Sequence, residues 1–209
     1  MTAEGSEARW WSLMQRLGLA PSLDMYRELL RLYGEPHRAY HNFEHIAACL
    51  RHLDDVRESA EKPDELELAI WFHDAIYKPF SGSNELDSAV LAADFLEENK
   101  AGEGTVANVH ALIMATVHDA SPSPGDSSLM VDIDLSILGA RPEVYGVFEQ
   151  AVRQEYRRVP GPIFRRKRRK LLQQFLDREK IYQHPHFFEK LEVQARRNLA
   201  AAIDTLSLQ

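Results

Sequence analysis

The run Leu68–Phe72, LAIWF, is apolar on every side of a helix, and it is framed by charge on both flanks: PDELE precedes it and His73-Asp74 follows. A helix with no polar face has to sit inside the protein, surrounded by other elements. Pro63 followed by Asp64 and Glu65 makes a good start for it, because proline suits the first turn and acids complement the N-terminal dipole. The expected helix reads ELELAIWFHDAIY. A His and an Asp beside so apolar a run require a counter-charge, a hydrogen-bond partner or a metal.

The rest of the chain supplies helices to surround it. Periodicity predicts them over about Glu7 to Arg16, from Pro21-Ser22 to Gly34, from an Asn42 cap through Val56, and over Asn84 to Glu98. Others are expected over Thr105 to Val117, Pro142 to Arg157, Ile163 to Arg178 and His186 to Leu206. No stretch alternates as strands do, so the class is all-α. Ala120 to Ser128 (ASPSPGDSS) reads as a loop and Val159 to Pro162 as a sharp turn, neither long enough for a domain linker. At 209 residues one helical domain is expected over 1–209, with its polar core at about 36–140.

Charge and cysteine count narrow the chemistry. The net charge of −7 argues against a general nucleic-acid binder, and the basic run Arg165 to Lys170 lies among apolar residues as one solvated helix face would. Every apolar run is broken well short of the ~20 residues that a bilayer span requires, so no membrane partner is expected. MTAEGSEARWW lacks the basic start and apolar core of a secretion signal, and a cytoplasmic location is expected. Cys49 is the single cysteine, which excludes an intramolecular disulfide and a Cys-based zinc cluster. Any metal must be held by His and carboxylates. Helical proteins of this size often form homodimers, and no stretch marks the face.

Three segments carry such groups. In YHNFEHI, Tyr40 to Ile46, His45 falls in the first turn after the Asn42 cap and His41 lies one turn earlier on about the same side. Two histidines at this spacing suggest the zincin pattern, but the required Glu is replaced by Asn42, which demotes a metalloprotease. His73-Asp74 is the second segment. A second His-Asp pair, His118-Asp119, sits where a helix meets a Ser/Pro loop and reads as a solvated helix end. The third, LMVDIDLSILG, embeds Asp132 and Asp134 among apolar residues, so each is a candidate functional carboxylate or a helix cap.

In this order the three segments resemble the HD superfamily of metal-dependent phosphohydrolases, whose ligands run His, adjacent His-Asp, then a distant Asp. YHNFEHI, AIWFHDAIY, SNELDSA, DIDLSILG, VRQEYRRVP and ARRNLAAAI resemble a bacterial subgroup of predicted HD phosphohydrolases over most of the chain. The resemblance implies a helical bundle of the HD type and a metal held by His45, His73, Asp74 and Asp134. YHNFEHI is also similar to a segment of the cyclic-nucleotide phosphodiesterases, which implies that His41 is the general acid. Two imidazoles with two carboxylates suit one divalent Mn, Fe, Co, Ni or Zn ion better than Mg.

The implied reaction is hydrolysis of a small phosphorylated compound, a nucleotide or phosphomonoester, by a metal-activated water. Glu85 is a candidate for orienting that water, or it simply opens a helix. Arg38 and Lys78 are candidate phosphate contacts by their places in the sequence, His118 is a candidate second-metal or phosphate contact, and Arg153 and Tyr156 are candidates by the resemblance alone. The alternative is a non-catalytic HD module that keeps the metal site and binds a nucleotide or partner as a regulator.

Overall fold

The computed structural model describes residues 3–118 and 122–208. Among these, ten α-helices and three short 3₁₀ segments account for the regular structure, and no strand is present. The helices are α1 (Ala3–Arg16), α2 (Leu23–Tyr33), α3 (Phe43–Val56), α4 (Pro63–Phe72), α5 (Asn84–Glu98), α6 (Glu103–Met114), α7 (Asp126–Asp134), α8 (Pro142–Glu155), α9 (Gly161–Leu176) and α10 (Pro185–Leu208). The class is all-α, as the periodicity predicts. None of the described helices is long and apolar enough to cross a membrane. The chain divides into two compact units, Met1–Val131 and Asp132–Gln209.

The first unit is built around α4. Leu66 and Leu68 through Phe72 are fully buried, so the helix is enclosed on all sides by its neighbours in α1, α3, α5 and α6. Trp10 of α1 meets the edge of Trp71 at 5.5 Å between ring centroids, and Phe72 stacks on Phe95 of α5 at 5.6 Å. Such pairs add roughly 0.5–1.5 kcal/mol to the area they bury.

Several boundaries differ from the sequence reading, and for two of them the structure shows the cause. The apolar run predicts a helix through Tyr77, yet α4 stops at Phe72: His73 N–H still reaches the Ala69 carbonyl, then Ala75 N–H closes a tighter turn onto Phe72. The loop expected at Ala120 to Ser128 gives way to α7 at Asp126, after Gly125 adopts the left-handed region at φ +84°. Asp126 also accepts N–H bonds from Glu61 and Lys62 just ahead of α4. Asp119, Ala120 and Ser121 lie outside the described residues.

Glu67, one residue before the apolar run, is 1% exposed. Its carboxylate is held by Arg9 at 2.7 Å, Arg16 at 2.7 Å and Arg57 at 2.6 Å, while Arg16 and Arg57 also pair with Asp64. A buried carboxylate is tolerated only with such partners. Glu67→Gln keeps the shape and strands three guanidiniums that retain some contact with water. It should cost roughly 2–3 kcal/mol, seen as a lowered urea midpoint. An unchanged midpoint would contradict this role.

In the second unit α10 packs on α9 and on the 3₁₀ segment Leu135–Gly139. Gly139 is required there: a Cβ on it would fall 2.5 Å from the Cβ of Leu191. Asn198 donates to the carbonyls of Leu138 and Ala140 at 2.8 Å each. The basic run forms the middle of α9, whose buried side is Phe164, Leu172 and Phe175. Arg168 pairs with Glu149 of α8 at 2.7 Å, while Arg166, Lys167, Arg169 and Lys170 face solvent.

Asp132 is fully buried and accepts N–H bonds from Gln183 at 2.9 Å and His184 at 2.6 Å, which anchors the segment entering α10. Its part in this unit is to satisfy backbone donors. Burial pushes its carboxyl up to about 6, with the Glu192 charge adding to the rise and the two N–H bonds opposing it. A carboxyl raised in the fold stabilises it while protonated, and that contribution is lost as pH climbs from about 4 through about 6. Asp132→Asn removes the titration, so its stability relative to wild type should improve by roughly 2–3 kcal/mol between pH 4 and 7 in denaturant melts. Parallel pH profiles for the two proteins would contradict the assignment.

Candidate metal centre

Asn42 starts α3 as its sequence suggests: its Oδ1 accepts the N–H of Glu44 at 2.9 Å with the backbone extended at φ −120°. That places His45 in the first turn, 6% exposed, and leaves His41 outside the helix. His73, 1% exposed, caps the far end of α4, and Asp74 follows in the turn. The two segments are far apart in sequence, and the fold brings their polar atoms together.

His45 Nε2 lies 3.2 Å from His73 Nε2 and 3.5 Å from Asp74 Oδ2, and His73 Nε2 lies 3.3 Å from the same Oδ2. On metal–ligand bonds of about 2.0–2.1 Å these separations correspond to ligand–metal–ligand angles of roughly 100–120°. Three donor atoms therefore already stand where one ion would be capped on one face. The opposite nitrogens fit as well. His73 Nδ1 lies 2.9 Å from the Ile70 carbonyl, which can only accept, so Nδ1 carries the proton and Nε2 offers its lone pair. His45 Nδ1 lies 3.0 Å from the Tyr40 hydroxyl.

Burial by itself would raise the Asp74 carboxyl. The charge and hydrogen bond of His73, followed by the charges of His41 and His45, outweigh it and hold the group well below the ordinary carboxylate range. Charged histidines around it thus favour the ionised form of Asp74. Two imidazoles and a carboxylate that converge in this way can hold a divalent ion.

The other sequence candidates occupy varied positions. His41 stands beside the triad, its ring 6.3 Å from that of His45 and stacked on Tyr77 at 4.2 Å. Arg38 is buried, and its donors go to carbonyls and to Glu35. Lys78 is exposed, with Nζ 4.0 Å from Asp87. Glu85 is half-buried in the first turn of α5 and is not one of the clustered ligands. His118 is half-buried and ends the 3₁₀ segment Ala115–Val117 in the left-handed region at φ 61°.

Three candidates belong to the second unit. Asp134 is half-buried at the end of α7. Arg153 donates to the carbonyls of Tyr156 and Val159 and lies over the Phe164 ring at 4.8 Å, closing the end of α8. Tyr156 is the C-cap of that helix.

The sequence reading missed two residues that touch the cluster. Tyr40 orients His45, and its only sequence signal is adjacency to His41. Cys49 lies one helical turn after His45 with Sγ 3.8 Å from both ring nitrogens; the i, i+4 spacing on α3 was its signal.

Tyr40→Phe keeps the ring and removes the hydroxyl that steadies His45. Metal affinity in a chelator competition should fall about tenfold with the helical spectrum unchanged. Affinity equal to wild type would show that Tyr40 does not orient the ligand. No family model matches the chain, and no curated protein or solved structure matches it.

Proposed function

We propose that the protein is a metal-dependent phosphohydrolase of the HD type acting on a small phosphorylated compound. The observation that carries this reading is the convergence of His45 Nε2, His73 Nε2 and Asp74 Oδ2 within 3.2–3.5 Å of one another. The residues belong to the segments YHNFEHI and WFHD, in the order of the HD superfamily. Asp134 is the fourth ligand by that resemblance, and the reading rests on the three of the first unit.

A mixed imidazole and carboxylate set favours Mn, Fe, Co, Ni or Zn over Mg. Such an ion supplies Lewis acidity, lowering the pKa of a coordinated water from ~16 toward ~7 and polarising a phosphoryl oxygen. His73 keeps its Nε2 lone pair aimed inward because its Nδ1–H goes to the Ile70 carbonyl, and the Tyr40 hydroxyl, by accepting from His45 Nδ1, would leave the Nε2 of that ring free for a metal. Asp74 adds the negative charge that holds a dication. His41, outside the ligand set and braced against Tyr77, is placed to give a proton to the leaving oxygen, a role worth roughly 10²–10⁴ in rate. Lys78, exposed with Nζ 4.0 Å from Asp87, is a cation that would meet phosphate from solvent.

A screen of nucleotides, pyrophosphates and phosphoesters with Mn, Co, Ni and Mg tests the reading. Phosphate release is expected and should vanish in His45→Ala and Asp74→Ala together with the metal. His41→Ala should keep the metal while turnover falls roughly 10²–10⁴-fold. Nucleotide binding without turnover would instead support a regulatory module. Metal uptake indifferent to His45→Ala, with no release from any substrate, would remove both.

A further inference from the structure

His41 and Asp74 both lie outside helices, so no helical ladder holds the proposed proton donor in register with the proposed ligand. One side chain spans the two segments. Arg38 Nη1 donates to the carbonyl of His41 at 3.0 Å and to that of Asp74 at 2.7 Å, and Nη2 donates to Ala75 at 2.7 Å. Its Nε reaches the Glu35 carboxylate at 3.1 Å. Four of the five N–H groups of the guanidinium are thereby committed.

The setting is that of a built joint. The Arg38 side chain is 0% exposed, and its guanidinium lies 5.3 Å from the centre of the Tyr33 ring and 5.5 Å from that of Tyr77. Tyr77 is also the ring on which His41 stacks. The far side of the turn is tied separately, by Ser88 Oγ accepting the N–H of Ile76 at 3.0 Å.

We propose that Arg38 is a positioning residue that sets the register between His41 and the His73-Asp74 turn, and does not itself bind phosphate. The inference rests on the metal reading above. A buried cation with its donors turned to carbonyls has little left for a substrate anion, whereas a planar fork can bridge two backbones at once. Lysine keeps the charge but offers one nitrogen and cannot reproduce the fork.

The test compares wild type, Arg38→Lys and His45→Ala by Co²⁺ titration, followed by titration of the cobalt-loaded protein with inorganic phosphate. Arg38→Lys should bind Co²⁺ about tenfold more weakly and shift its visible d–d bands, because Asp74 loses its register. Phosphate affinity of the loaded site should stay within about twofold, since no phosphate ligand is removed. Glu35→Gln, which loosens Nε and leaves the other donors, should move the bands the same way by less, and it decides the matter where Arg38→Lys does not fold. A wild-type cobalt spectrum in both variants overturns the positioning role while the metal reading stands. Unchanged bands with weakened phosphate binding overturn it in favour of anion binding. Wild type that takes up no Co²⁺, like His45→Ala, overturns the metal reading and this role with it.

Discussion

Two imidazole nitrogens and a carboxylate oxygen meet at 3.2–3.5 Å in a nearly dry corner of the first unit. With the His73 proton on Nδ1, its Nε2 lone pair faces His45 Nε2 and the Asp74 carboxylate, and either a proton on His45 Nε2 or a cation among the three atoms can bridge them. Much of the surrounding structure is explained by the need to hold this convergence: the Asn42 cap that starts α3, the Ile70 carbonyl, the Tyr40 hydroxyl and the early end of α4.

The same helix carries a second buried carboxylate near its other end. Because LAIWF is apolar on every side, α4 runs through the core, and a charge at either flank is taken out of water. Near its start Glu67 is neutralised by three arginines from α1 and the segment after α3. At its end the Asp74 carboxylate faces His45 and His73, and the Arg38 guanidinium donates to the backbone carbonyl of Asp74. Permanent cations suit a fixed structural joint. Two imidazoles beside a carboxylate are instead a set that could hold a metal ion.

Local signals in the sequence were legible where local physics decides. Asn42 caps α3 through its own side chain, so the place of His45 in the first turn could be read directly, as could the burial of LAIWF. The end of α4 could not, because apolar residues continue to Tyr77 and the turn at Asp74 depends on bonds from Arg38 and Ser88, which lie on other segments of the chain. Asp126 was hidden in a Ser/Pro-rich stretch because its partners, Glu61 and Lys62, lie more than sixty residues earlier. Asp132 and Asp134 look equivalent in DIDLSILG, and only the backbone donors of Gln183 and His184 distinguish the first. Place in the sequence and resemblance make Arg38 and Arg153 candidate anion contacts, while the structure turns both toward carbonyls. A cation's partners are a tertiary property.

X-ray absorption at the edge of the bound metal, on protein purified without chelator and loaded with Co²⁺ or Zn²⁺, tests the central claim most directly. The expected spectrum shows imidazole scattering with a first shell of nitrogen and oxygen at about 2.0–2.2 Å, and loss of imidazole scattering in His45→Ala. An all-oxygen shell, or protein that retains no metal, would contradict it.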